Sequence, residues 1–152
     1  MQNYTSGATV SGASTITQQL ARALLLPEER FERNVQRKAR EIVLAAEITR
    51  QYSKEEILEL YLNENFYGKM AYGIEAAAET YFNTTADQLT LGQAAFLAGL
   101  PQSPSVYDIE TNRPATLERF RQVLVLMYQL SEEDGCIYVA PNQDRVCVTA
   151  EM

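Results

Sequence analysis

The residues with the most chemistry to offer stand near the start of the chain, in residues 12–22, GASTITQQLAR. A small-residue stretch that runs into a helix amino terminus exposes backbone N–H groups, and the helix dipole there favours an anion. Ser14 and Thr15 add hydroxyls, and Gln18, Gln19 and Arg22 add amides and a guanidinium. Gln18 and Arg22 are four apart, so a helix brings them to one face. Several donors with some positive charge suit an oxygen-rich anion such as a sugar pyrophosphate. An ordinary capped amphipathic helix with polar residues in water carries the same residues, and this segment alone leaves both readings open.

A second cluster follows in Arg37, Lys38 and Glu41. Glu41 is three residues from Lys38 and four from Arg37, so all three can share one helix face. One reading is a solvated salt-bridge cluster, worth a few tenths of a kcal/mol per pair. The other is a carboxylate that orients two cations, which in turn hold a diphosphate. The chain has no histidine, which removes imidazole catalysis and histidine-ligated metal sites. Cys136 and Cys147 are too few for a tetrahedral zinc site. In CIYVAPNQDRVC they can face one another, with Ile137 opposite Val146, Tyr138 opposite Arg145 and a turn at Pro141–Asn142. That register allows a cross-strand disulfide, two free thiols, or simply a surface hairpin.

The elements that must position these groups read mostly as helices. Ser14 is expected to cap a helix running to Leu26, ended by Pro27. A longer helix is expected over 29–51, with Phe31, Val35, Ile42, Leu44 and Ile48 as its apolar positions. Ser53 and Glu56 form a capping box for a third helix. Residues 65–73 hold two glycines and read as a loop. Residues 74–82 read as a helix whose Ala76–Ala77–Ala78 run admits a close neighbour. Thr90 and Gln93 cap a further helix stopped at Pro101. An irregular excursion follows, and Pro114 opens a last helix to about Leu130. The expected architecture is mainly α with a short C-terminal β-hairpin.

Composition narrows the classes further. At 152 residues and 46% apolar, the chain can build one compact domain with a sizeable core. Its longest apolar runs, 94–100 and 123–127, fall far short of the roughly 20 residues of a spanning helix. The first ten residues lack the basic and apolar parts of a secretory signal. The net charge is −7, so the wider field repels nucleic acid. The basic residues Arg22, Arg30, Arg33, Arg37, Lys38 and Arg40 nonetheless gather in one strip that can serve a single anionic group.

Taken in order, GASTITQQLAR, RKARE (37–41), KEEILELYLNENFYGKMAYGIEAAAETYF (54–82) and LTLGQAAFLAGLPQSPSVYD (89–108) resemble four of the five motifs of glycosyltransferase family 51. That family comprises the glycan-polymerising domains of class A penicillin-binding proteins and the monofunctional peptidoglycan glycosyltransferases. The resemblance covers residues from about 3 to about 127 and implies a lysozyme-like, mainly helical domain over 1–131, with 132–152 as a hairpin or linker. It implies lipid II and the growing glycan strand as substrates. The 4-hydroxyl of the incoming lipid II attacks the anomeric carbon of the strand, with inversion and release of undecaprenyl pyrophosphate. It also implies the extracytoplasmic face of the bacterial membrane as the place of work, and a transpeptidase domain as a partner downstream. Ser14, Thr15, Gln18, Gln19 and Arg22 match positions that contact sugar and phosphate. Arg37 and Lys38 match the pyrophosphate-side cations. Glu41, the candidate catalytic residue, matches a glutamate expected to orient those cations rather than to act as the principal base. No cofactor is required, although a divalent cation on the substrate pyrophosphate is compatible.

The chain departs from the pattern in several places. The family's first motif, EDxxFxxHxG, which supplies the general-base glutamate, is not in this sequence, and the chain is expected to begin inside the connection that follows it. On that basis the chain should bind substrate yet be inactive alone. Arg22 stands where lysine is usual, Ala23 where asparagine is usual and Ala13 where glycine is usual. A non-catalytic lipid II-binding or scaffolding domain of the same fold is the alternative. Glycan cleavage by Glu41 is disfavoured, because cleavage needs an acid of raised pKa and two adjacent cations act in the opposite sense.

Overall fold

A computed structural model describes residues 14–29, 34–130, 136–139 and 144–147. The chain forms two compact units that divide between Glu64 and Asn65. In the first, α1 (Ile16–Leu25), α2 (Val35–Gln51) and α3 (Lys54–Glu64) surround a small core of Leu20, Ala21, Ala45 and Ile57. α1 packs on both of the other helices. The alanines at 21 and 45 keep that packing close.

Local signals explain most of the boundaries. The Ser53 hydroxyl accepts from the Glu56 N–H (3.2 Å), and the Glu56 carboxylate accepts from the Ser53 N–H (2.8 Å), which is the capping box expected from the sequence. α1 corrects an expectation: Thr15, not Ser14, is its N-cap, its hydroxyl accepting from the Gln18 N–H at 3.2 Å. α2 corrects another. It starts at Val35, with the Asn34 side chain accepting from the Arg37 N–H at 2.7 Å, and Glu29 lies before it, in a turn after Pro27. An Asx side chain three residues before a backbone donor is a strong start for a helix. Phe31 lies outside the described residues.

Of the apolar positions expected on α2, Leu44 and Ile48 face inward, whereas Val35 and Ile42 do not. Val35 is 85% exposed and Ile42 49%. The inward stripe runs through Arg37, Lys38, Glu41, Leu44, Ala45 and Ile48, at helical spacing. Glu41 and Ala45 are its buried members. Toward its apolar end, Leu20, Leu24, Leu25, Leu44, Ile48 and Leu60 line an open groove of about 260 Å³.

In the second unit, α4 (Ile74–Phe82), α5 (Leu91–Gly99) and α6 (Arg113–Leu130) are joined by short 3-10 turns at Ala86–Gln88 and Leu100–Gln102. Thr90 and Gln93 make the second capping box. The core gathers Tyr67, Ala71, Ala77, Leu97 and Leu100, with Tyr81, Phe82 and Phe96 against it. Phe96 meets Tyr81, Phe82 and Phe120 edge-on at 5.7–6.0 Å, the arrangement that ring quadrupoles favour. Ala77 and Ala78 are fully buried, as the alanine run leads one to expect. β1 (Cys136–Val139) and β2 (Asp144–Cys147) pair antiparallel, with Cys136 opposite Cys147 and Tyr138 opposite Arg145. The turn at Pro141–Asn142, and whether the two thiols are joined, lie outside what is described.

The loop before α4 is the tightest part of the backbone. Gly68 and Gly73 have φ of 88° and 83°, and Lys69 and Met70 follow into the left-handed region at 48° and 62°. Each non-glycine residue there costs on the order of 1 kcal/mol. The Tyr81 hydroxyl holds the loop by donating to the Tyr67 carbonyl at 2.8 Å. A Cβ on Gly68 would stand 2.9 Å from that hydroxyl oxygen. Gly68→Ala is therefore predicted to destabilise the protein by about 2 kcal/mol, read as a lower midpoint in thermal unfolding followed by circular dichroism. An unchanged midpoint would contradict this account of the loop.

Candidate functional site

The site is built within the first unit by the entrance of α1 and the first turns of α2. The Glu41 side chain is 1% exposed, yet it is ionised between two cations. Arg37 Nη1 donates to its Oε2 at 2.5 Å, and Lys38 Nζ donates to its Oε1. Burial pushes the Glu41 carboxyl pKa up, but the hydrogen bonds and charges of Lys38 and Arg37 outweigh it and hold the pKa below the ordinary carboxylate value. Such a group is a fixed anion, poorly suited to accept a proton.

Lys38 joins α2 to the entrance of α1. Its Nζ also donates to Ser14 Oγ and to Gln18 Oε1, both at 2.9 Å. An ammonium has three N–H donors, and these three contacts use them all. The consequence for the partners is a change of polarity. With Lys38 on its carbonyl oxygen, the Gln18 amide can turn only its NH₂ outward. The Ser14 oxygen, already accepting, keeps its own proton to give. Arg37 Nε is buried with no hydrogen-bond partner. The remaining hydrogen-bonding capacity of the cluster is therefore mostly that of donors, which suits an oxygen-rich anion.

Of the residues expected from the sequence, Ser14, Gln18, Arg37, Lys38 and Glu41 come together. Gln19 stands one step behind, its Nε2 donating to the Ser14 carbonyl at 3.4 Å. Thr15 does not join, because its hydroxyl is committed to capping α1. Arg22 is half-buried in the last turn of α1 and makes no ion pair among the described residues. Sequence reasoning missed Tyr61, whose hydroxyl donates to Gln19 Oε1 at 3.4 Å. It missed Asn34 too, although the Asn34–Arg37 capping spacing was there to read. The donor set does not fit a protein-held divalent cation. Both Glu41 oxygens are occupied by cationic donors, and among the described residues no three carboxylates, thiols or imidazoles cluster.

These features make a mainly helical protein with a donor-lined cluster at a helix entrance. The sequence matches a family model described as Transglycosylase over residues 1–128. The chain belongs to that family, the glycosyltransferase 51 family whose motifs it resembles. It is 42% identical over 137 residues to penicillin-binding protein 1A of Rickettsia felis, covering 90% of this chain and 16% of that protein. It is 43% identical over 141 residues to the Aquifex aeolicus protein of the same name, covering 93% of this chain and 18% of that protein. A crystal structure of Haemophilus influenzae penicillin-binding protein 1A matches at 28% identity and a TM-score of 0.47, over 84% of this chain and 16% of that one. The chain therefore spans about one sixth of the length of the relatives it matches.

Two predictions follow from the Glu41 cluster. Glu41→Gln leaves a buried guanidinium without its counter-charge, which costs on the order of 3 kcal/mol. The urea midpoint should fall while the slope of the transition stays the same; an unaltered midpoint would mean that the pair is energetically idle. The second concerns acid. Because the folded-state pKa of Glu41 is lowered, its contribution is fully present above the unfolded value of about 4.3. That contribution fades as pH falls from there through the folded pKa. Stability measured from pH 6 to pH 2 should decline less steeply in Glu41→Gln than in the parent, and parallel declines would exclude Glu41 as a contributor.

Proposed function

We propose that this chain forms the sugar-pyrophosphate side of a peptidoglycan glycosyltransferase that polymerises lipid II. The observation that carries this reading is the polarity of the cluster. Lys38 consumes acceptor capacity on Ser14 and Gln18, which leaves the Ser14 hydroxyl proton and the Gln18 NH₂ as donors that suit phosphate oxygens. Family membership adds the reaction class. In that reaction the acceptor 4-hydroxyl oxygen bonds to the anomeric carbon of the strand, and the bond from that carbon to the pyrophosphate oxygen breaks. The hydroxyl proton goes to a base, and the lipid pyrophosphate leaves with the bonding electrons. Arg37 and Lys38 stabilise the charge that grows on the leaving oxygen. Ser14, Gln18, Gln19 and Arg22 contact sugar and phosphate around them, and Thr15 caps the helix entrance that carries them. Glu41 orients the two cations.

The base is a separate matter. Glu41 is engaged by two cations and held ionised, and the general-base motif EDxxFxxHxG is not in this sequence. We infer that the chain on its own binds lipid II and polymerises little, so that by itself it acts as a binding domain. We infer that the site works at the extracytoplasmic face of the bacterial membrane, in company with a transpeptidase domain. Among the described residues no helix is long and apolar enough to cross a membrane.

The test uses labelled lipid II and inorganic pyrophosphate. The chain should bind both and yield no long strands, and Lys38→Ala should weaken pyrophosphate binding by about ten-fold or more, because it removes a positive charge from the site and frees the Ser14 and Gln18 oxygens as acceptors. Long glycan strands from the isolated chain would show that it holds its own base. Failure to bind either ligand would reduce the cluster to a structural ion pair.

A further inference from the structure

The loop before α4 carries exposed apolar side chains on a backbone that is unusually well fixed. Phe66 and Tyr72 form an antiparallel bridge, and their rings lie 4.7 Å apart at 38°. Within the bridge the Tyr67 N–H donates to the Ala71 carbonyl (2.9 Å) and the Ala71 N–H to the Gly68 carbonyl (2.8 Å), while outside it the Gly73 N–H donates to the Asn65 carbonyl. Lys69 pairs with Glu110 at 2.5 Å and lies 5.4 Å from the centre of the Tyr81 ring. Despite all this fixing, Met70 is 86% exposed and Tyr72 64%. Folding alone gains little from either side chain, yet Lys69 and Met70 are held in left-handed backbone to present them. Backbone strain maintained around exposed apolar groups is a mark of a binding surface.

We propose that Tyr72, backed by Phe66 and flanked by Met70, is a stacking platform for an uncharged pyranose ring of a glycan chain. The proposal rests on the glycan-handling reading above and gives it a sugar contact separate from the pyrophosphate cluster. One face of a pyranose presents C–H groups of partial positive charge, which complement the electron-rich face of a tyrosine ring. The methionine thioether adds polarizable surface that adapts to the sugar edge. Charge separates this from a membrane contact. Residues 65–152 carry five basic and eleven acidic side chains, and the loop's own lysine is paired with Glu110. That excess repels anionic headgroups. A stiff loop also loses little conformational freedom on binding.

The experiment is a titration of the whole chain with tetra-N-acetylchitotetraose, followed by saturation-transfer NMR and tyrosine fluorescence. Pyrophosphate binding is measured in parallel on the same samples. Saturation transfer to the pyranose protons is expected in the parent, with an affinity loss of about five-fold in Tyr72→Ala. Tyr72→Phe should keep the affinity and Tyr72→Trp should raise it, since the ring does the binding. All three variants should hold pyrophosphate as the parent does. Absence of saturation transfer, or equal affinity in Tyr72→Ala, overturns the platform even if pyrophosphate binds. Binding to phosphatidylcholine vesicles that depends on Tyr72, without chitotetraose binding, overturns it in favour of a lipid contact. Tyr72-dependent sugar binding without pyrophosphate binding upholds the platform and counts against the pyrophosphate reading alone.

Discussion

A carboxylate with almost no exposure to solvent, held between an arginine and a lysine, is the constraint on which the first unit turns. Glu41 occupies an inward position of α2 where an apolar residue would ordinarily go. Ionised, it requires both cations to be close, because a lone buried charge is far costlier than a paired one. Lys38 is then drawn across to Ser14 and Gln18, which ties the entrance of α1 to α2. Without the carboxylate there would be little reason for the lysine to stay there. The geometry of the donors in this cluster is therefore set by a buried carboxylate.

The second unit is held by different means. Aromatic edges, buried alanines and one tyrosine hydroxyl fix its core and the loop before α4. No charged side chain among its described residues is buried. One unit thus gathers positive charge and donors into a small cluster, while the other offers a rigid aromatic surface.

Local rules were legible wherever a helix end depends on residues a few positions apart. Ser53 with Glu56 and Thr90 with Gln93 could be read directly, because both partners of a capping box lie within one turn. The helical class, the loop at 65–73 and the breaks at Pro27 and Pro101 follow from equally local preferences. Misreadings arose where two candidates competed. Ser14 and Thr15 are both good caps, and only the pull of Lys38 on Ser14 separates their roles. Val35 and Ile42 are apolar yet exposed, because the inward face of α2 follows its ion pair and Ala45 rather than its largest side chains.

By itself, then, the sequence determined the helical class, the family and the set of residues that could hold an anion. Each depends on spacing along one chain, which the sequence states outright. Tertiary structure decided which of those residues act together and with what polarity. Lys38 reaches 24 and 20 residues back to Ser14 and Gln18, and Tyr61 reaches 42 back to Gln19. Contacts of that span depend on how helices cross, not on any local periodicity. The same packing assigned Thr15 to the helix cap and Ser14 to the cluster, a division that neighbouring hydroxyls in a sequence cannot express.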